Sequence, residues 1–273
     1  MIILVLNVGI KNARCIAFSD DGRVLCEASR CVHTFINNDC VEQNPSEWLS
    51  HSWEVIGEVV TQLGSKSEQI EYLTVTTSAS CLVVTDENYK PLMRSLLVSD
   101  TRAVKEAERL ERLFEFQELQ GINTKSSPDL MILKILWIMK NKSEIYSRAK
   151  HFLNIGDFLV ANLTGRCVTD FNNASKFHYI LRDKSYPKRV LEVLNISIDA
   201  FPEVVNPGEE IGSVLPAVAD RLSRRRRQTT AENRHHRGEF LGSTPPSLRP
   251  HTGAAATPAK DGRRGRQPRA ATP

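Results

Sequence analysis

Five apolar residues, Ile2-Ile3-Leu4-Val5-Leu6, follow the initial Met1. A short continuous run of this kind predicts a strand buried on both faces. A polar connection with one glycine, Asn7-Val8-Gly9-Ile10-Lys11-Asn12, separates it from residues 13–18, where apolar and polar positions alternate. Asp21-Gly22 is a two-residue hairpin signal, and residues 23–31 read as the returning strand. The opening therefore predicts a three-stranded antiparallel meander. Residues 33–44 read as a polar loop. From Pro45 onward, Trp48, Leu49, Trp53, Val55, Ile56, Val59, Val60 and Leu63 recur at helical spacing, and Gly64 stops them.

Residues 70–77 and 80–85 read as strands, 87–91 as a turn and 95–98 as a segment leading into Ser99-Asp100-Thr101-Arg102. From there a charged amphipathic helix is expected to about residue 116, with a loop over 117–129. Residues 130–139, LMILKILWIM, predict an apolar helix central to the core. A short helix at 143–150, an extended stretch at 151–154 and a helix at 157–163 stopped by Gly165 follow. Residues 167–170 read as extended, 171–175 as a polar turn, 187–194 as a helix and 207–212 as a turn into a short strand. Strands followed repeatedly by helices predict a layered α/β domain, with the 70–76 strand parallel to the first and helices on both faces of the sheet.

Composition divides the chain in two. Residues 1–222 hold 24 basic and 29 acidic residues, a net of −5, while residues 223–273 hold 12 basic and 3 acidic, a net of +9. Lysine and arginine number 12 each in the first part, but the second has 11 Arg and one Lys. It contains one Phe and two Leu and no Ile, Val, Met, Trp, Tyr or Cys, so a disordered Arg/Pro/Ala-rich tail is expected there. The abrupt change points to a switch of reading frame, with a genuine arginine-rich tail as the alternative. No run approaches the ~18–20 apolar residues of a membrane span, and no basic region precedes the first apolar run as it would in a signal peptide. Cys15, Cys26, Cys31, Cys40, Cys81 and Cys167 form no C-x-x-C pair, which fits reduced thiols in a cytoplasmic protein.

Candidate chemistry begins at the first turn. Gly9, Lys11, Asn12 and Arg14 can present N–H groups and cations to a phosphate, and they equally fit a charged turn in an ordinary meander. Residues 6–14, LNVGIKNAR, resemble the first phosphate loop of the actin/hexokinase/sugar-kinase superfamily, which runs acid-x-Gly-Thr-x-x-x-Arg/Lys between two strands. Asn7 stands where that superfamily has an acid, as it does in acetate kinases, and Ile10 stands where it has a hydroxyl residue. Gln43-Asn44-Pro45-Ser46-Glu47-Trp48 resembles the Q-D-P-x-x-W of FGGY carbohydrate kinases, and Val98-Ser99-Asp100-Thr101-Arg102-Ala103 resembles their W-x-D-x-R-A. Leu133 to Lys140 with Ser143-Glu144-Ile145-Tyr146 is similar to L-x-x-L-W-L-x-x-x with P-E-x-Y. Residues 157–165 are similar to D-Y-L-x-x-x-L-T-G, and Thr169 to Ser175 to T-D-x-x-N/D-A-S. These segments follow the family's order and spacing from about Ile2 to Leu222.

The resemblance implies a ribonuclease H-like domain of the actin-like ATPase superfamily over residues 1–222: a mixed sheet with an antiparallel three-strand meander and flanking helices. It implies transfer of a phosphoryl group from ATP, with Mg²⁺, to a hydroxyl of a small sugar or polyol. Asp100, Arg102 and Ser80 are then the substrate-side candidates. Asn7, Gly9, Lys11, Asn12 and Arg14 are the phosphate-side candidates, Asn7 with an indirect Mg²⁺ contact through water. Asp100 can accept from two vicinal hydroxyls, or cap the helix that follows it. Ser80 falls where xylulokinase-like members have a histidine, so xylulose specificity is not expected. Asp170 and Asn173 read as loop-holding residues, and the seven histidines show no metal-ligand spacing. The family's Gly-Asp motif, which supplies the catalytic base, and its second domain find no match after Leu222, so no catalytic residue is assigned and the chain as it stands is expected to be inactive. The alternative is a non-catalytic polyol- or partner-binding protein whose basic tail binds a polyanion. No membrane partner is expected, nor any nucleic-acid contact beyond the tail; a homo-oligomer is compatible with the sequence.

Overall fold

The computed structural model describes residues 1–113 and 129–219. The helix end expected near 116, the loop expected over 117–129 (all but Asp129) and the tail expected from Ser223 lie outside the described residues.

A four-stranded sheet of order β3-β2-β1-β6 forms the base. Strand β1 (Ile2–Val8) pairs antiparallel with β2 (Asn12–Ser19), which pairs antiparallel with β3 (Val24–Cys31). On its other side β1 runs parallel to β6 (Ile70–Thr77), with Val8 opposite Thr77. The β2–β3 turn closes where Gly22, at φ 80°, takes the left-handed backbone that Asp-Gly turns need. Alternate residues of β1, namely Ile2, Leu4, Leu6 and Val8, are buried together with Ala13, Cys15 and Ala17 of β2. Helix α1 (Pro45–Leu63) packs Trp48, Trp53, Ile56 and Val59 into the same core. The Asn44 side chain caps this helix by accepting from the Ser46 N–H, Pro45 opens it, and Gly64 ends it at φ 58°.

The sheet faces are unequal, contrary to the expectation of helices on both. The opposite face carries Ile3, Val5, Ile16 and Phe18, paired across β1 and β2 and only half-buried, while Tyr72 is 52% exposed. Among the described residues the core side chains of β1 and β2 all come from the first face. A run of five consecutive apolar residues cannot distinguish a doubly covered strand from one whose second face is merely shielded by its neighbours.

A second core gathers around helix α3 (Met131–Asn141), with α2 (Val104–Leu113), α7 (Lys188–Val193) and the antiparallel pair β7 (Val83–Thr85) and β9 (His151–Leu153). Phe152, Phe177, Tyr186 and Phe201 form a contiguous aromatic group there. Helix α4 (Ser143–Arg148) follows α3, and α5 (Ile155–Thr164) closes the first core with Phe158, Leu159 and Leu163.

Three local expectations are corrected. Residues 33–44 are not a loop: β4 (Thr34–Asn37) and β5 (Cys40–Gln43) make a hairpin that β8 (Ser95–Leu96) extends to three strands. The polar turn at 171–175 is a short helix, α6 (Phe171–Ala174), because the Asp170 carboxylate accepts from the N–H groups of Asn172 and Asn173. The strand expected after 207–212 instead precedes the turn, as β11 (Glu203–Val205), parallel to β10 (Val168–Asp170). Among the described residues no helix is long and apolar enough to cross a membrane.

Candidate functional site

The two parallel strands β1 and β6 end side by side, and the segments that leave them carry the candidates. The Ser78 N–H donates to the Val8 carbonyl, so the bend at 78–80 sits against the start of the first turn. Ligands in open α/β sheets gather at such carboxyl ends of parallel strands.

The first turn is closed by its own backbone, with the Gly9 N–H donating to the Asn12 carbonyl at 2.9 Å. That donor is therefore engaged. The Lys11 carbonyl accepts from the Val32 N–H. Gln43, fully buried, donates its amide to the Ile10 carbonyl at 2.6 Å and to the Thr34 hydroxyl, and accepts from the Trp48 indole N–H at 2.9 Å. The first and last residues of the Gln43-to-Trp48 motif thus pin the turn. Arg14 is turned aside, since its guanidinium forms an ion pair with Glu27 across β2 and β3. Lys11 and Ile10 are exposed at the tip. Of the five phosphate-side candidates, Lys11 keeps its charge toward solvent, Gly9 shapes the turn, and Asn7 and Asn12 flank it.

Asp100 lies 1% exposed in the turn before α2. One carboxylate oxygen accepts from the Val41 N–H at 2.8 Å and the Arg102 Nη2 at 2.8 Å; the other accepts from the Arg102 Nε at 3.0 Å and the Arg102 N–H at 3.3 Å. Arg102 also donates to Glu42 at 2.8 Å and lies 4.5 Å from the Trp137 ring centre. Burial alone would lower the Arg102 guanidinium; hydrogen bonds and charge from Asp100, then Glu42, hold it above its ordinary value instead. Glu42 is approached in turn by Arg94 at 3.8 Å, and Arg94 covers Phe35. The result is an alternating series, Arg94, Glu42, Arg102, Asp100, running inward from the surface.

Ser80 is 2% exposed and holds φ 60°, a left-handed backbone rare for a serine. Its carbonyl accepts from the ammonium of Lys134, which is itself fully buried on α3. Sequence reasoning singled out Ser80, Asp100 and Arg102 as substrate-side candidates, and the fold brings them onto adjoining segments. It missed Lys134, Glu42 and Gln43 as structural members of the site. A lysine inside LMILKILWIM was the available signal for the first, and the glutamine of the Q-x-P-x-x-W pattern for the third.

The residues near the first turn do not make a Mg²⁺ site by themselves. Magnesium is ordinarily held by one or two carboxylates together with phosphates and waters, whereas Asn7 offers one neutral amide oxygen. Among the described residues no three His, Cys, Asp or Glu side chains converge as metal ligands.

The sequence profile of the FGGY family of carbohydrate kinases, N-terminal domain, matches residues 2–224. The xylulose kinase of Bacillus subtilis is 23% identical over 217 residues, 78% of this chain and 43% of that protein. The glycerol kinase of Clostridium beijerinckii is 29% identical over 221 residues, 77% of this chain and 44% of that protein. The crystal structure of xylulose kinase from Rhodospirillum rubrum superposes with a TM-score of 0.78 at 20% identity, covering 82% of this chain and 46% of that one. Likeness at that identity speaks for the fold, an actin-like, ribonuclease H-like α/β domain. The chain spans less than half the length of the curated relatives it matches.

Proposed function

This chain belongs to the FGGY family of carbohydrate kinases, and from that premise we propose that it is the acceptor-side half of an ATP-dependent sugar or polyol kinase. On this reading the 78–80 bend and the 97–102 turn hold the acceptor, and the first turn faces the phosphates of ATP, which bring their own Mg²⁺. The observation that carries the reading is β5. Gln43 reaches the Ile10 carbonyl in the first turn, while its neighbour Glu42 reaches Arg102 in the acceptor turn. Two consecutive residues therefore set both turns in one frame. Transfer between two bound molecules depends on such fixed mutual geometry. Ser80 and Asp100 shape the acceptor half from beneath, and Arg102, whose side chain keeps 11% of its surface, is the member that can meet a hydroxyl.

Both oxygens of Asp100 are occupied, so it is not the base that takes the hydroxyl proton. On the kinase reading the base lies outside the acceptor half-site, as the family's Gly-Asp motif does, and its loss typically costs ~10² to 10⁴ in rate. The 273-residue chain by itself is therefore expected to bind without turning over. The test is thermal denaturation of the purified chain with glycerol, xylulose or gluconate, alongside ADP release with ATP and Mg²⁺. A polyol-dependent rise in melting temperature with no sugar-dependent ADP release is expected. ADP release that vanishes in Asp100→Ala would overturn the binding-only part. Absence of any shift with the whole panel would overturn the acceptor assignment.

A further inference from the structure

Lys134 is the one charged residue among the buried positions of α3, where its buried neighbours on the helix, Met131, Ile132, Leu133, Ile135 and Ile138, are all apolar. A buried lysine needs a reason, because an unpaired ammonium in such a place is expensive. The reason here is two carbonyls: Nζ donates to Ser80 at 2.9 Å and to Leu97 at 2.5 Å. Those carbonyls belong to the two separate segments that carry the acceptor-side candidates. Ser80 has the left-handed backbone that a serine keeps only where its surroundings fix it. Leu97 also accepts the Asp100 N–H at 3.0 Å, so one oxygen receives both the lysine and the turn that presents Asp100.

We propose that Lys134 is a positioning residue for the acceptor half-site, its ammonium tying the 78–80 bend to the 97–102 turn so that Ser80, Asp100 and Arg102 keep one arrangement. The consequence for acceptor binding rests on the kinase reading above; the tie itself does not. The ionisable groups that face the ammonium are Cys81 beside the bend, Asp100 and Arg102 in the turn and Asp129 ahead of α3. Burial lowers the lysine to about 8, against the opposing charges of Cys81, Asp100 and Asp129. It is therefore mostly protonated at neutral pH. A neutral amine would still hold two N–H donors for the two carbonyls. The tie is one of donor geometry and is expected to persist in mildly alkaline solution, whereas removing the donors breaks it.

Amide hydrogen exchange on the full chain tests this, read by NMR at Val41, Asp100 and Arg102, with the β1–β2 amides as reference. Lys134→Met keeps length and apolarity but has no donor. It is expected to raise exchange at the three reporters about tenfold or more relative to the reference, the loss that follows when buried carbonyls lose a charged donor. Raising the pH from 7 to 9 in the wild type, after correction for intrinsic exchange, is expected to change that ratio about twofold at most. Reporter exchange in Lys134→Met that moves only with the reference would overturn the proposal. Should that variant not fold, the wild type decides. Slowly exchanging Nζ protons of Lys134 with cross-relaxation to Ser80 and Leu97 support the tie, and rapid exchange with solvent overturns it. Glycerol titration of the same samples separates the two readings. Wild-type binding that weakens about tenfold in folded Lys134→Met supports positioning, and unchanged binding overturns it. If the wild type binds no polyol, the acceptor reading falls, while the exchange data still judge the tie.

Discussion

A carboxylate with both oxygens occupied has little left for a ligand, and Asp100 is such a group. Its charge is balanced by Arg102, whose side chain is largely withdrawn from water. Removing one partner of a buried pair strands the other, at a cost of about 3–5 kcal/mol. Asp100→Ala is expected to lose that much in urea denaturation, and Arg102→Ala a similar amount; a loss under ~1 kcal/mol would place the pair among exposed bridges. Two other buried groups set the response to pH. Burial pushes Asp157 up to about 6, against the hydrogen bonds it accepts from Asn154, and its stabilising contribution is present below the ordinary carboxylate value and lost as pH rises through 6. Burial pushes His178 down to about 4, so its contribution is present above its ordinary value of 6.5 and lost as pH falls toward 4. The two oppose each other in that window. Melting temperature in the wild type is expected to vary little between pH 4 and 6, and Asp157→Asn is expected to tilt the curve so that stability rises toward neutral pH. A curve of the same slope in both proteins would remove Asp157 as the cause. Neither group was legible in the sequence, where an aspartate at a helix start and a lone histidine are ordinary features. Their perturbation comes from burial that only the fold supplies.

Among the elements, α1 was legible to the residue, since Pro45 and Gly64 punctuate it and its apolar stripe has the helical period, while its Asn44 cap was read only as the end of a loop. Gly64 stands at φ 58° and ψ −125°, a region that L side chains avoid. Gly64→Ala is expected to cost about 1–3 kcal/mol in urea denaturation, and Asn44→Ala about 1 kcal/mol. A neutral result for Gly64→Ala would mean that the helix end relaxes freely. The β4–β5 hairpin was illegible for a physical reason. All four residues of β4 are exposed, so no alternation marks the strand, and the turn uses Asn38 at φ 51° instead of a glycine. The short α6 was misread because its stabiliser is a single side chain, Asp170, and not a hydrophobic repeat. Helix α3 was found from its apolarity, but the same apolarity concealed Lys134, because a single lysine in such a run reads as a side chain reaching for water.

At the scale of the whole molecule, the order β3-β2-β1-β6 followed from local turns for three strands and from topology for the fourth. The meander needs only neighbours in sequence. The parallel partner of β1 does not arrive until Ile70–Thr77, and that delay has a consequence in time. Hairpins form within about 1–10 μs, so β1, β2 and β3 can pair almost as soon as they exist. During synthesis at ~5–20 residues per second, the stretch from Cys31 to Thr77 takes on the order of 2–10 s to appear. For those seconds the nascent meander presents the unpaired edge of β1, a strand of Ile, Leu and Val, with neither α1 nor β6 to cover it. Unpaired apolar edges of this kind recruit other chains. Ribosome-bound chains halted at about residue 75, with the meander outside the exit tunnel and α1 and β6 still inside it, are expected to capture a hydrophobic-strand-binding chaperone, and chains halted at about residue 120, with β6 outside the tunnel, are expected to release it. Equal capture at both lengths would show that the edge is protected before its partner is made.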